Sequence, residues 1–218
     1  EDRWGTGSRS LYARSRDTER TPPVQLSRES VKATEPCVDA GTDGSVHAVW
    51  TSSPKEREEI VYREFSDGSW KAPVRLSNRS WTCKRAAVSA DEKRGLHVVW
   101  EDHRSEVPSV CYREKRDGKW KKETLLSGGK SSAFRPSVAA GPGGTTHVAW
   151  YEGESGLTEV VYTGRSGSRW SRPVRLTSSS APTYFVSIAD GQDGSVHVIF
   201  QDRRRDTHDV YYRVGRPR

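Results

Sequence analysis

A chain of 218 residues, 32% hydrophobic and 30% charged, is long enough to bury a core, but one made of many short half-buried strands rather than large helices. No apolar run approaches the roughly 20 residues of a membrane-spanning helix, no signal-peptide pattern stands at the start, and the lack of any Met makes Glu1 read as a processed or excised N-terminus. The net charge of +7 arises from 36 basic and 29 acidic residues that are interspersed, without a block of like charges; this pattern describes a mixed solvated surface and argues against nucleic acid, with acidic glycans or an anionic partner surface the better fit.

Glu1-Asp2-Arg3 aligns with Glu101-Asp102-His103, so the chain opens just after a second strand. Its first unit supplies only a third strand (Leu11 to Arg14) and a fourth (Val24 to Ser27). A complete unit follows: strand a is Cys37-Val38-Asp39-Ala40, and the turn Thr42-Asp43-Gly44-Ser45 leads into strand b, Val46 to Trp50. Strand c, Ile60 to Glu64, passes through Ser66-Asp67-Gly68-Ser69 to Trp70 and strand d, Pro73 to Ser77. An Asp-Gly pair between two β-prone runs signals a hairpin.

Strand b returns as Leu96 to Trp100, Thr146 to Trp150 and Val196 to Phe200, a period of 50 residues. Tyr12, Tyr62, Tyr112, Tyr162 and Tyr212 keep this phase, as do Leu26, Leu76, Leu126 and Leu176. The turns drift in letter but not in chemistry, to Asp117-Gly118 and Ser166-Gly167, as positions needing a positive φ require. Nothing shows a sustained 3.6-residue period, so essentially no helix is expected. The last unit, from about Pro182, has strands a, b and c and stops at Arg218. The expected organisation is a single domain over 1–218 with 17 strands: a partial blade at 1–30, full blades at 31–80, 81–130 and 131–180, and a partial blade at 181–218.

Four-stranded units of about 40 to 50 residues are the blade signature of an all-β propeller, whose antiparallel sheets stand radially around an axis. Equal stride follows because every blade fills the same wedge, and strand b is accordingly bulky on both faces. Two closures compete. In a closed four-bladed propeller the N-terminal strand d completes the final blade, and the strand around Tyr12 is then a duplicate. In a section of a larger ring, which the spacing favours, the missing strands come from the rest of the propeller or from a partner.

Pro136-Ser137-Val138-Ala139, Leu96-His97-Val98-Val99-Trp100-Glu101-Asp102-His103-Arg104, Val210-Tyr211-Tyr212-Arg213 and Trp170 to Thr177 together resemble the sialidase-like (BNR-type) propeller repeats of secreted bacterial proteins. The resemblance covers nearly the whole chain. It implies the fold and a secreted, periplasmic or cell-surface location, and it leaves activity open, because enzymes, lectins and scaffolds share such repeats. Ser66-Asp67-Gly68-Ser69-Trp70 departs from the family's S-x-D-x-G-x-x-W box in placing Gly directly after Asp.

His47, His97, His147 and His197 recur one per unit without a second ligand at metal spacing, so they read as buried neutral side chains rather than a metal site, and no cofactor motif is present. Arg63, Arg113 and Arg213 beside the recurring Tyr, with Trp70, Trp120 and Trp170 after the next turn, offer a fork and an aromatic platform for a sugar. The alternative is that these Arg tie one blade to acidic residues of the next, such as Asp102 and Asp202, while Trp plugs the wedge. Arg203-Arg204-Arg205 is a candidate anionic contact on a divergent b–c loop. Cys111 fits a buried apolar slot, Cys37 another small one, and a Cys37–Cys83 bridge is conceivable on spacing.

A sialidase-type enzyme would need an Arg cluster, an activated Tyr with its Glu, and an acid/base Asp in one central pocket. The inner wall, read at Asp39, Ser89, Ala139 and Ala189, is mostly small. The expected function is therefore a non-catalytic binding or assembly module that uses the propeller's rim loops, with a protein or the remaining propeller as partner. A multivalent lectin-like glycan binder is the alternative, and a sialidase-like glycoside hydrolase fragment the second alternative.

Overall fold

The computed structural model describes residues 11–12, 15–16, 19–20, 22–78, 80–154, 156–178, 181–204 and 207–216. Near the N-terminus, β1 (Leu11–Tyr12) pairs with β4 (Val24–Gln25), and β2 (Ser15–Arg16) with β3 (Glu19–Arg20). The first complete sheet holds β5 (Lys32–Ala40), β6 (Val46–Ser53), β7 (Glu59–Ser66), β8 (Ser69–Trp70) and β9 (Val74–Arg75). The second holds β10 (Cys83–Ala90), β11 (Leu96–Asp102), β12 (Ser109–Arg116), β13 (Lys119–Trp120) and β14 (Thr124–Leu125). The third holds β15 (Ser132–Ala140), β16 (Thr146–Glu154), β17 (Leu157–Ser166), β18 (Arg169–Trp170) and β19 (Val174–Arg175). The last comprises β20 (Thr183–Asp190), β21 (Val196–Asp202) and β22 (Asp209–Gly215). Among the described residues helix is confined to single 3₁₀ turns at Pro54–Glu56 and Pro142–Gly144.

Each complete sheet is the antiparallel meander that the repeat predicts, but strand d is broken: β8 and β9 both pair with β7. This break and the β2–β3 pair account for the 22 strands among the described residues where 17 were expected. Pro73 alone does not explain it, because the second sheet breaks in the same place with Glu123 there. The constant feature is the carbonyl two residues earlier. It accepts a side-chain donor from strand c: Arg63 Nε to Lys71 O and Arg113 Nε to Lys121 O, each at 2.8 Å, and Thr163 Oγ1 to Ser171 O at 2.8 Å. The preceding turn has φ of 51° at Asp67 and 74° at Gly68, the primed geometry that suits a two-residue hairpin.

The core lies between sheets. Val49, Ile60 and Tyr62 of one blade pack on Val88, Val98, Trp100 and Cys111 of the next, and Val99, Val110 and Tyr112 repeat this on Val138, Val148, Trp150 and Val161. Leu26, after β4, packs in the same way on Trp50 and Val61. β5, β10, β15 and β20 neighbour one another in turn, which makes strand a the innermost of each blade.

Among the described residues the arc does not close. β4 pairs with β1, and the sheet of β20 to β22 has no fourth strand, so the closed four-bladed arrangement is not formed. Among the described residues part of each end face is exposed: Val38 is 60% exposed where Val88 is 5%, and Tyr212 is 60% exposed where Tyr112 is 3%. All three cysteines are free, so the Cys37–Cys83 bridge is absent; Cys83 and Cys111 are buried, Cys37 only partly.

Candidate functional site

Every strand a carries a β-bulge near its start. Pairing with strand b slips between Thr34 and Cys37, Lys84 and Ala87, Phe134 and Ser137, and Tyr184 and Ser187. The first bulged residue adopts a left-handed φ although none is glycine: Glu35 at 54°, Arg85 at 55°, Arg135 at 46° and Phe185 at 50°. Such backbone is held by its surroundings against a steric cost, and bulges re-aim side chains. Side chains of the preceding blade hold it at Arg85 and Arg135. The Arg85 amide donates to Thr51 Oγ1 and Glu35 Oε2, both at 3.1 Å, and the Arg135 amide to Glu101 Oε1 at 2.8 Å.

Because the bulges lie at one end of four adjacent inner strands, they bring Glu35, Arg85, Arg135 and Phe185 around one concavity of about 310 Å³. Arg85 Nη1 donates to the fully buried Glu101 at 2.8 Å, and His103 Nε2 lies 3.3 Å from the same carboxylate. The Arg135 guanidinium sits 4.8 Å over the Phe185 ring, and Tyr151 meets Tyr184 edge to face at 5.7 Å.

Burial alone would raise the Glu101 pKa, yet His103, the Arg135 amide and Arg85 together hold it below the usual carboxylate range. Tyr151 is pushed up, chiefly by burial. Glu101 is thus a fixed anion inside the wall, and Tyr151 stays protonated. What faces the concavity is cationic and aromatic, flanked by Glu35. Among the described residues no group of three or more His, Cys, Asp or Glu is placed to hold a metal ion.

The residues nominated from the repeat lie elsewhere. Arg63 and Arg113 donate to the carbonyls of Leu26 (3.2 Å) and Leu76 (2.7 Å) in the preceding blade, and Arg213 to that of Leu176. Trp120 packs edge to face on Tyr62 at 5.1 Å and Trp170 on Tyr112 at 4.8 Å, while Trp70 lies 5.6 Å from Phe65. The expectation that Arg reaches Asp102 and Asp202 is corrected, because those carboxylates hold Arg104 and Arg204 of their own b–c loops. Arg203 is exposed, and Arg205, like Arg14, lies outside the described residues.

The recurring His are buried or partly so, and each bonds a Tyr of its own blade. Nδ1 of His47, His97, His147 and His197 lies 2.7–2.9 Å from the Tyr hydroxyl fifteen residues on. Carboxylates accompany two of them, against expectation: Asp91 is 3.2 Å from His97 and Asp190 3.3 Å from His147. The inner wall was read one bulge too late. Asp39 and Ser89 accept the amides of Ala90 (2.8 Å) and Ala140 (3.1 Å) in the next blade, so they tie blades together rather than face a pocket. The bulge residues do not stand out in the sequence because Glu, Arg, Arg and Phe are not one repeated residue type; Glu35-Pro36 and Arg135-Pro136 within strand a are the available signal.

No family model and no curated protein matches the chain. Solved structures do. An α-L-arabinanase of Penicillium chrysogenum is 10% identical with a TM-score of 0.63, over 84% of this chain and 62% of that protein. A Hadza microbial sialidase is 12% identical with a TM-score of 0.62, over 84% and 44%. The fold is that of the sialidase-like β-propellers. A PL25 ulvan lyase adds a TM-score of 0.60 at 12% identity over 86% and 57%, so the chain spans about half the length of the propellers it matches. At such identity the likeness speaks for the fold alone. Among the described residues no helix is long and apolar enough to cross a membrane.

Proposed function

We propose that this propeller arc is a non-catalytic glycan-binding module, acting outside the cytoplasm, that holds an acidic saccharide on the strand-a platform. One observation carries the reading: a repeated bulge brings Arg85 and Arg135 beside Phe185 around a single concavity. Guanidinium forks pair with carboxylate or sulfate, and an aromatic face stacks on a sugar ring. The resemblance to propellers that act on glycans supports the class of ligand, and the ulvan lyase was solved with a GlcA(1-4)Rha3S oligosaccharide bound. The non-catalytic reading is supported by Glu101, which is fully buried and committed to Arg85, His103 and the Arg135 amide rather than open to a substrate. In this reading Arg63, Arg113, Arg213 and their Trp partners serve as blade staples.

Titration calorimetry with a uronate-containing oligosaccharide and a neutral one of equal length tests it. The acidic sugar is expected to bind, and Arg135→Ala to weaken it on the order of tenfold, the worth of one charge-assisted contact, with the melting temperature retained. Equal binding of the neutral sugar, or turnover of the acidic one, would overturn the reading.

The exposed end faces support a second role in assembly. Each is one half of an interface that the chain already uses between its blades.

A further inference from the structure

The first complete blade lacks a guanidinium–carboxylate cluster that the second and last blades carry just after strand b, and it also lacks the carboxylate that the third blade keeps there. In the second blade, Asp102 takes Nε and Nη2 of Arg104, both at 2.7 Å, and Nη2 also reaches Glu123 at 2.7 Å, with the guanidinium 5.9 Å over Trp81. In the last blade, Arg204 bonds Asp202 at 2.5 Å and lies 4.1 Å over Tyr211. In the third, the carboxylate is Glu152, which accepts the Trp150 indole N–H at 2.9 Å.

The aligned positions of the first blade are Ser52, Pro54 and Pro73, so carboxylates and guanidinium are lost together. All three line a cleft of about 710 Å³, with Trp50, Val61 and Leu26 among its apolar walls and Trp81 at its border. Among the described residues the lining holds four cations, Arg28, Lys55, Arg57 and Arg75, and one carboxylate, Glu59, which lies 3.5 Å from Arg75. Lys55 is displayed from a left-handed backbone, with φ of 53°, and Arg57 is anchored through Nη1 to Ser80 O at 3.2 Å.

We propose that this cleft is a second ligand site, for a pyranose ring bearing a sulfate or carboxylate. The ligand's anion replaces the carboxylates that the blade lacks, and its ring fills the space that the Arg104 and Arg204 side chains take in the second and last blades. The site shares no residue with the strand-a platform and stands or falls apart from it.

The test is titration of the full chain with a heparin-derived tetrasaccharide, in parallel with inorganic sulfate, glucuronate and a neutral tetrasaccharide. Two independent sites are expected. Arg57→Ala with Arg75→Ala removes one and leaves the other, while Arg135→Ala weakens the platform site about tenfold and leaves the cleft site unchanged. Ser52→Asp with Pro54→Arg and Pro73→Glu, which rebuilds the second blade's cluster, likewise removes the cleft site. Arg172→Ala, an exposed cation on the third blade, leaves both unchanged and excludes diffuse charge attraction. Competition by sulfate or by glucuronate alone tells which anion is read. A folded Arg57→Ala/Arg75→Ala protein with undiminished stoichiometry, equal loss from Arg172→Ala, or equal binding of the neutral sugar overturns the proposal. Should the rebuilt cluster fail to fold, the double Ala variant decides alone.

Discussion

His97 illustrates how one buried side chain records both its blade and the solvent pH. Asp91 is held as an anion and accepts from Nε2, so Nδ1 is left to accept the Tyr112 hydroxyl, a tautomer assigned from the network. Burial lowers the pKa of His97, and of His47 and His147, below the ordinary 6.5. The unfolded chain therefore binds more protons just below that value. The stability contributed by these neutral rings is complete above about pH 6.5 and is lost as the pH falls through their folded pKa, at up to about 1.4 kcal/mol per unit for each ring. Asp91, Glu101 and Asp102, held below their usual range despite burial, add a second loss at more acid pH. Thermal melts should show a lower Tm at about pH 5.5 than at pH 7.5; an unchanged Tm between them would contradict the buried neutral assignment.

At the scale of the strand, the informative residue is Arg113. Its Nε holds the carbonyl that breaks strand d, and its Nη1 crosses to Leu76 of the preceding blade. One side chain thus shapes its own edge and joins it to the neighbour. Arg113→Lys keeps the charge but has no fork to reach both carbonyls, so it should cost about 1–3 kcal/mol, like Arg113→Ala. Urea unfolding measures this, and a Lys variant as stable as the parent would mean that charge alone suffices. The strand pattern, the hairpin turns and the buried Cys111 were legible in the sequence, because alternation and positive-φ turn residues are local properties. The bulges were not, because the side chains that hold their amides come from the preceding blade.

Over the whole molecule, the repeat leaves two unlike ends. One bares Val38 and the other Val210 and Tyr212, and their counterparts Val88, Ile60 and Tyr62 are buried inside the arc. The first two internal interfaces carry ion pairs, Glu64 with Lys115 and Glu114 with Arg165, whereas Phe65 and Val214 stand at the corresponding positions of the first and last blades. Apolar ends of this kind favour joining one end face to the other, between copies or to further blades. Light scattering across a concentration series should show association that Val38→Lys with Tyr212→Lys abolishes. A strictly monomeric parent at high concentration would rule out self-association through these faces.

The sequence by itself determined the stride, the four-strand unit and the two-faced strand b, since each follows from residues close together in the chain and from the demand that every wedge be filled alike. Tertiary structure alone decided what the repeat presents. Arg85 and Arg135 meet over one concavity, and Ser52, Pro54 and Pro73 vacate one cleft, because residues a blade or half a blade apart become neighbours only when sheets stack radially. Whether the arc closes was decided there too, by β4 pairing with β1 rather than with β22.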